Sequence, residues 1–103
     1  MTVLPDNATV SLSLNLTLPL TTRERIIRQR SFAAKHREAF CRLSRREREI
    51  LTLIATGMSN EDIAKRIYVS VHTVRTHRNN IWRQLGIHNV VEAVWWAQCF
   101  DLV

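Results

Sequence analysis

A chain of 103 residues, 46% hydrophobic and 23% charged, has room for one small globular domain and an extension. Its two cysteines, Cys41 and Cys99, exclude a disulfide framework and stand in no metal-ligand spacing, so both are expected as plain thiols in a reducing cytoplasm. No apolar run reaches the roughly 18 residues of a membrane span. No basic stretch precedes an apolar core as in a signal peptide. The net charge of +6 is uneven: residues 23–49 hold ten Lys/Arg against four Asp/Glu, and the remainder is close to neutral. Long-range attraction to phosphate would therefore come mainly from that segment.

Residues 1–20 read as an N-terminal extension, strand-like or disordered. Val10, Leu12, Leu14, Leu16, Leu18 and Leu20 alternate with Ser11, Ser13, Asn15, Thr17 and Pro19. Strict period two is the pattern of a half-buried strand. A lone strand would need another copy or another protein, and unpaired it invites aggregation. It could equally end a sensor domain that this chain otherwise lacks.

Residues 21–42 read as a basic linker helix. Thr21 and Glu24 can form a capping box. Ile26, Ile27, Ala33, Ala34, Phe40 and Leu43 make a ragged apolar stripe, with Arg23, Arg25, Arg28, Arg30, Lys35 and Arg37 over the rest. Three roles stay open: an arm along nucleic acid, a helix pairing with its twin, or a solvated linker.

Four further helices follow, so the expected fold is all-α. The first opens at Ser44 with the box Ser44-x-x-Glu47, turns Ile50, Leu51 and Ile54 inward, and ends at Gly57. The second starts at the N-cap Ser59, carries Asp62 near the positive end of its dipole, and buries Ile63, Ala64 and Ile67. At about two turns it needs tertiary packing to exist. Tyr68-Val69 leads to a second N-cap, Ser70, from which a longer helix runs to Leu85, with Gly86 as left-handed C-cap. Two short helices around a tight turn are the build of a helix-turn-helix. The last helix opens at Asn89, with Glu92 at the reciprocal capping position, and runs to about Phe100.

Projected at about 100° per residue, Val74, Ile81 and Leu85 share one arc of the third of these helices, with Val71 at its edge. His72, Arg75, Thr76, Asn79 and Arg83 share the opposite arc. Arg78 falls near the apolar arc, so its stem should lie on the core and its head reach solvent. A soluble face usually mixes both signs of charge, yet residues 63–91 contain no Asp or Glu. An acid-free, donor-rich helix face points to nucleic acid. On the last helix Val90, Ala93, Val94, Trp96, Ala97 and Phe100 form a broad arc assigned to the core. Val91 and Trp95 lie on the other side with Cys99 beyond them, a patch suited to a small isologous contact.

The blocks Leu43-Ser44-Arg45-Arg46-Glu47-Arg48-Glu49-Ile50-Leu51, Gly57-Met58-Ser59-Asn60-Glu61-Asp62-Ile63-Ala64, Ser70-Val71-His72-Thr73-Val74-Arg75-Thr76-His77, Leu85-Gly86-Ile87 and Glu92-Ala93 fall at matching spacing. Over about residues 42–99 they resemble the LuxR-type (GerE-type) DNA-binding domain of bacterial transcription regulators. The resemblance implies a compact four-helix bundle with a helix-turn-helix, occupying residues 43–103. It implies base contacts by Arg75, Thr76 and Asn79. Phosphate contacts fall to Ser59, Asn60, Thr73 and His77, with bracing of the helix the alternative for Thr73 and His77; for His77 a packed, hydrogen-bonded ring is a further competing role. Arg suits guanine O6/N7, Asn suits adenine N6/N7, and a Thr methyl can meet a thymine methyl. It also points to Val91, Trp95 and Cys99 as a dimer interface. One departure stands out: the family often has Arg where this chain has Val90.

The expected function is a sequence-specific, DNA-binding transcription regulator, a homodimer on double-stranded DNA in the cytoplasm. RNA polymerase or a longer LuxR-type regulator are further partners to consider. The alternative is a small interaction protein that pairs with such a regulator and inhibits it. About forty residues precede the domain, too few for a receiver or an acyl-homoserine-lactone pocket. Region 4 of sigma factors has a similar motif but fits the Gly-x-Ser-Asn and Gly-Ile segments less well. An enzyme is not expected. No Ser/His/Asp set, paired carboxylates or Gly-rich phosphate loop is present, no cofactor is implied, and His36, His72, His77 and His88 share no metal-ligand spacing.

Overall fold

The computed structural model describes residues 21–103, which fold into five helices with no strand among them. They are α1 (Thr22–Cys41), α2 (Arg45–Ala55), α3 (Asn60–Ile67), α4 (Val71–Leu85) and α5 (Val90–Cys99). The strand-like reading of residues 8–20 falls outside the described residues.

Every helix starts at a side chain that accepts an orphan backbone N–H. Thr21 and Ser44 both build complete capping boxes: Glu47 N donates to Ser44 Oγ at 3.0 Å and Ser44 N donates to Glu47 Oε1 at 2.9 Å. Ser59 caps α3, Ser70 caps α4 and Asn89 caps α5 through Glu92 N at 2.9 Å. At α5 the reciprocal arm differs from the expected box. Glu92 Oε1 accepts from His88 N at 2.7 Å, one residue before the cap. Gly86 closes α4 in the left-handed region at φ 67°, where a Cβ would crowd the backbone.

The core follows the helical phase. Ile50, Leu51 and Ile54 of α2, Ile63 and Ala64 of α3, Val74, Ile81 and Leu85 of α4, and Ala93, Trp96 and Ala97 of α5 are all buried. Leu43 and Ile87, from the connections, complete it. Val90, expected inside, is 39% exposed because it occupies the first position of α5, where the chain is still entering the bundle.

Helix α1 docks on α5 and α4 through a line of rings at i, i+4 and i+8. Phe32 meets Trp96 edge-on at 5.0 Å, His36 lies 5.4 Å from Trp96, and Phe40 stacks on Phe100 at 4.1 Å. Gln84 Nε2 on α4 donates to Ala39 O, and the Arg48 guanidinium donates to Cys41 O while lying over the Phe40 ring. The expected stripe differs. Of its members only Phe40 and Leu43 are buried, while Ile26 and Ile27 are exposed. The period was obscured because its middle position is a histidine, which counts as polar in the sequence but packs here as a ring.

Candidate nucleic-acid interface

Helices α3 and α4 with their turn form the helix-turn-helix. Asn60, the first residue of α3, accepts at Oδ1 from the Arg78 guanidinium of α4 at 2.9 Å. That guanidinium also lies 4.9 Å over the ring of Trp82, one turn further along α4. Arg78 thus runs over the bundle edge as its helical phase required, but its head binds the other helix rather than ending in water. Turning Oδ1 toward Arg78 leaves the Asn60 amide N–H groups as donors.

At the start of α4, Ser70 Oγ accepts from Thr73 N at 3.0 Å, and the two hydroxyls share a bond at 2.9 Å. His72, Arg75, Thr76, Asn79 and Arg83 are all exposed, on the face opposite the buried Val74, Ile81 and Leu85. Thr76 Oγ1 donates to His72 O at 3.1 Å, and Arg83 is held to Asn80 at 3.1 Å. Among the described residues no side-chain hydrogen bond or ion pair engages Arg75 or Asn79. His77 is half-buried, with Nδ1 enclosed and without a partner. Ser59 is exposed while its hydroxyl caps α3, accepting from Asp62 N at 3.1 Å.

Away from α4, Arg23, Arg25, Arg30, Lys35 and Arg37 of α1 are exposed and make no salt bridge among the described residues. The ion pairs that do form, Arg42–Glu38 and Arg46–Glu49, are solvent-exposed and contribute little to stability.

Residues 42–97 match the family described as GerE, bacterial regulatory proteins of the luxR family. This chain belongs to that family. Among its relatives, the Fimbriae Z protein of Escherichia coli (strain K12) is 39% identical over 61 residues, covering 59% of this chain and 29% of that protein. The response regulator protein VraR of Staphylococcus aureus (strain Mu3) is 36% identical over 80 residues, covering 78% of this chain and 38% of VraR. The chain thus spans well under half the length of these relatives.

The three residues read as a luxR-type dimer patch do not share one environment. Val91 is 79% exposed. Trp95 is half-buried, with Phe32 of α1 edge-on to its ring at 5.8 Å. Cys99 is buried, contrary to the expectation of an exposed patch, beside a hollow that Ile26, Gln29 and Arg30 of α1 help to line. The physical reason is α1, which crosses this side of α5. Burial, with Asp101 adding a smaller effect, pushes the Cys99 thiol up to about 11, so it stays protonated and unreactive at neutral pH. Cys41 is exposed and unpaired. Among the described residues there is no metal-binding cluster and no helix long and apolar enough to cross a membrane.

Two features escaped sequence reasoning. The Arg78–Asn60 bond joins residues 18 apart and has no periodic signature. Tyr68 closes α3 in the left-handed region, where the local sequence would suggest glycine or asparagine.

Proposed function

We propose that this domain binds double-stranded DNA sequence-specifically, with α4 in the major groove, and serves a bacterial transcription regulator acting in the cytoplasm. One observation carries it. The exposed face of α4 offers Arg75, Thr76 and Asn79 without intramolecular competitors for Arg75 and Asn79, in a stretch, 63–91, with no acidic residue. Membership of the luxR family of bacterial regulatory proteins supports it.

Each residue has a chemical task. Arg75 suits guanine O6/N7 and Asn79 suits adenine N6/N7, both as bidentate donors or donor–acceptors. Thr76, its hydroxyl committed to His72 O, brings a methyl to thymine. Asn60 Nδ2, the His77 ring and the hydroxyls of Thr73 and Ser59 are groups suited to phosphate oxygens flanking the groove. The free arginines of α1 supply the sequence-independent attraction. A symmetric dimer, with Val91 near its centre, would set two α4 helices about one helical turn apart on a near-palindromic site.

The test is selection of bound duplexes from a random pool by the purified chain at a stated salt concentration. A common enriched sequence is expected. Salt-sensitive binding without enrichment would overturn sequence-specific recognition.

A further inference from the structure

Tyr68 has a side chain that neither the core nor the α4 face uses, on a backbone that is strained for it. It closes α3 at φ 60° and ψ 46°, a region where a side chain crowds the backbone and which glycine enters freely. Its side chain is 93% exposed, so the ring returns no burial energy to the fold. The backbone around it is nonetheless fixed. Ile67 and Val69 pack against the core, and the N–H groups of Tyr68 and Val69 both donate to Ala64 O. For folding alone, a residue without a Cβ would serve better here. Two residues on, Ser70 caps α4. Lys65 and Arg66 are exposed on the last turn of α3, and no acid lies between 63 and 91.

We propose that Tyr68 is a DNA-backbone contact, its phenol O–H donating to a phosphate of the strand that borders the groove entered by α4. This rests on the DNA-binding reading above. A tyrosine on a fixed backbone has only two side-chain angles to order, so little entropy is lost on contact. Its ring covers a deoxyribose while its hydroxyl reaches a phosphate oxygen, a contact that sets position and carries no sequence information. No acidic residue lies between 63 and 91, so the neighbouring sequence offers the hydroxyl no carboxylate in place of a phosphate. Tyr68 is therefore a positioning residue: it holds the entry end of α4 at a fixed distance from one strand.

The test is titration of the full chain against its selected duplex and a random duplex over a range of salt. Tyr68→Phe, Tyr68→Gly and Arg75→Ala are compared with wild type. Tyr68→Phe should weaken both duplexes by the same factor, about three- to tenfold for one net hydrogen bond. The slope against salt should not change, because no charge is removed. Tyr68→Gly should weaken both at least as much while melting at or above wild type, since the left-handed strain is relieved. Wild-type affinity in Tyr68→Phe overturns the inference and leaves the ring to a protein partner. So does a loss confined to the selected duplex, or a Tyr68→Gly variant that melts lower. A wild type that binds no DNA defeats the DNA-binding reading itself. Intact Tyr68 variants beside an impaired Arg75→Ala defeat this inference alone.

Discussion

Arg78 in the middle of α4 reaches Asn60 at the first position of α3 and lies 4.9 Å over the ring of Trp82, so one guanidinium ties the two helices of the helix-turn-helix together. The apolar contacts of Ile63 and Val74 hold the two helices together, but apolar packing is non-directional. A charged bond at 2.9 Å between defined atoms is directional.

Removing that bond should loosen the domain. Arg78→Ala is expected to cost about 2 kcal/mol, from one charged hydrogen bond and a cation–π contact. Asn60→Ala should cost about 1 kcal/mol. Denaturant unfolding of both single variants and the double variant measures the coupling. Strict additivity would show that the bond contributes nothing to stability. Arg78→Lys keeps the charge but loses the planar fork, so it should recover only part of the loss.

Base reading by Arg75 predicts a loss that depends on sequence. Arg75→Ala should cost about 1–3 kcal/mol at the selected site and relax preference at one base pair. Melting should be near wild type, because the side chain is exposed and makes no internal bond. Equal weakening on selected and random DNA would reduce Arg75 to a phosphate contact.

The free arginines of α1 predict an effect on all DNA. Changing Arg23, Arg25, Arg30 and Arg37 together to Gln should lower affinity for every duplex. It should also flatten the dependence of log affinity on log salt by up to about 0.9 per lost phosphate contact. An unchanged slope would make them a solvated helix face. All four are exposed, so the fold should survive, and a melting curve checks that it does.

Where the structure was legible in the sequence, short-range rules decided it. Ser44, Ser59, Ser70 and Asn89 each mark a helix start within a four-residue window. The spacing of Val74, Ile81 and Leu85 fixed which side of α4 is buried and hence that Arg75, Thr76 and Asn79 are exposed. What was hidden depends on contacts distant in sequence. The packing of Phe32, His36 and Phe40 against α5 needs partners about sixty residues away, and it brings Phe32 edge-on to the half-buried Trp95. Arg78 could be placed at the core edge from its helical phase, but its partner could not be named. The Tyr68 conformation runs against local propensity, which is why no local rule signals it.

The covering of Trp95 changes how the proposed dimer must be tested. Trp95→Ala would remove the edge-on contact with Phe32 at 5.8 Å as well as any contact with a second copy. Loss of cooperativity would then have two causes. Val91 avoids this, being 79% exposed on the same face one turn earlier. Val91→Glu should change stability by less than about 0.5 kcal/mol, yet place like charges face to face across an isologous contact. Binding to a site with two half-sites should then lose its cooperativity, while affinity for a single half-site stays near wild type. Phe32→Ala is the control: it should lower melting by loosening α1, yet leave cooperativity in place if α5 alone makes the contact. Should Val91→Glu keep full cooperativity and Phe32→Ala lose it, the pairing surface moves to α1, where Ile26 and Ile27 are the exposed apolar residues able to supply it.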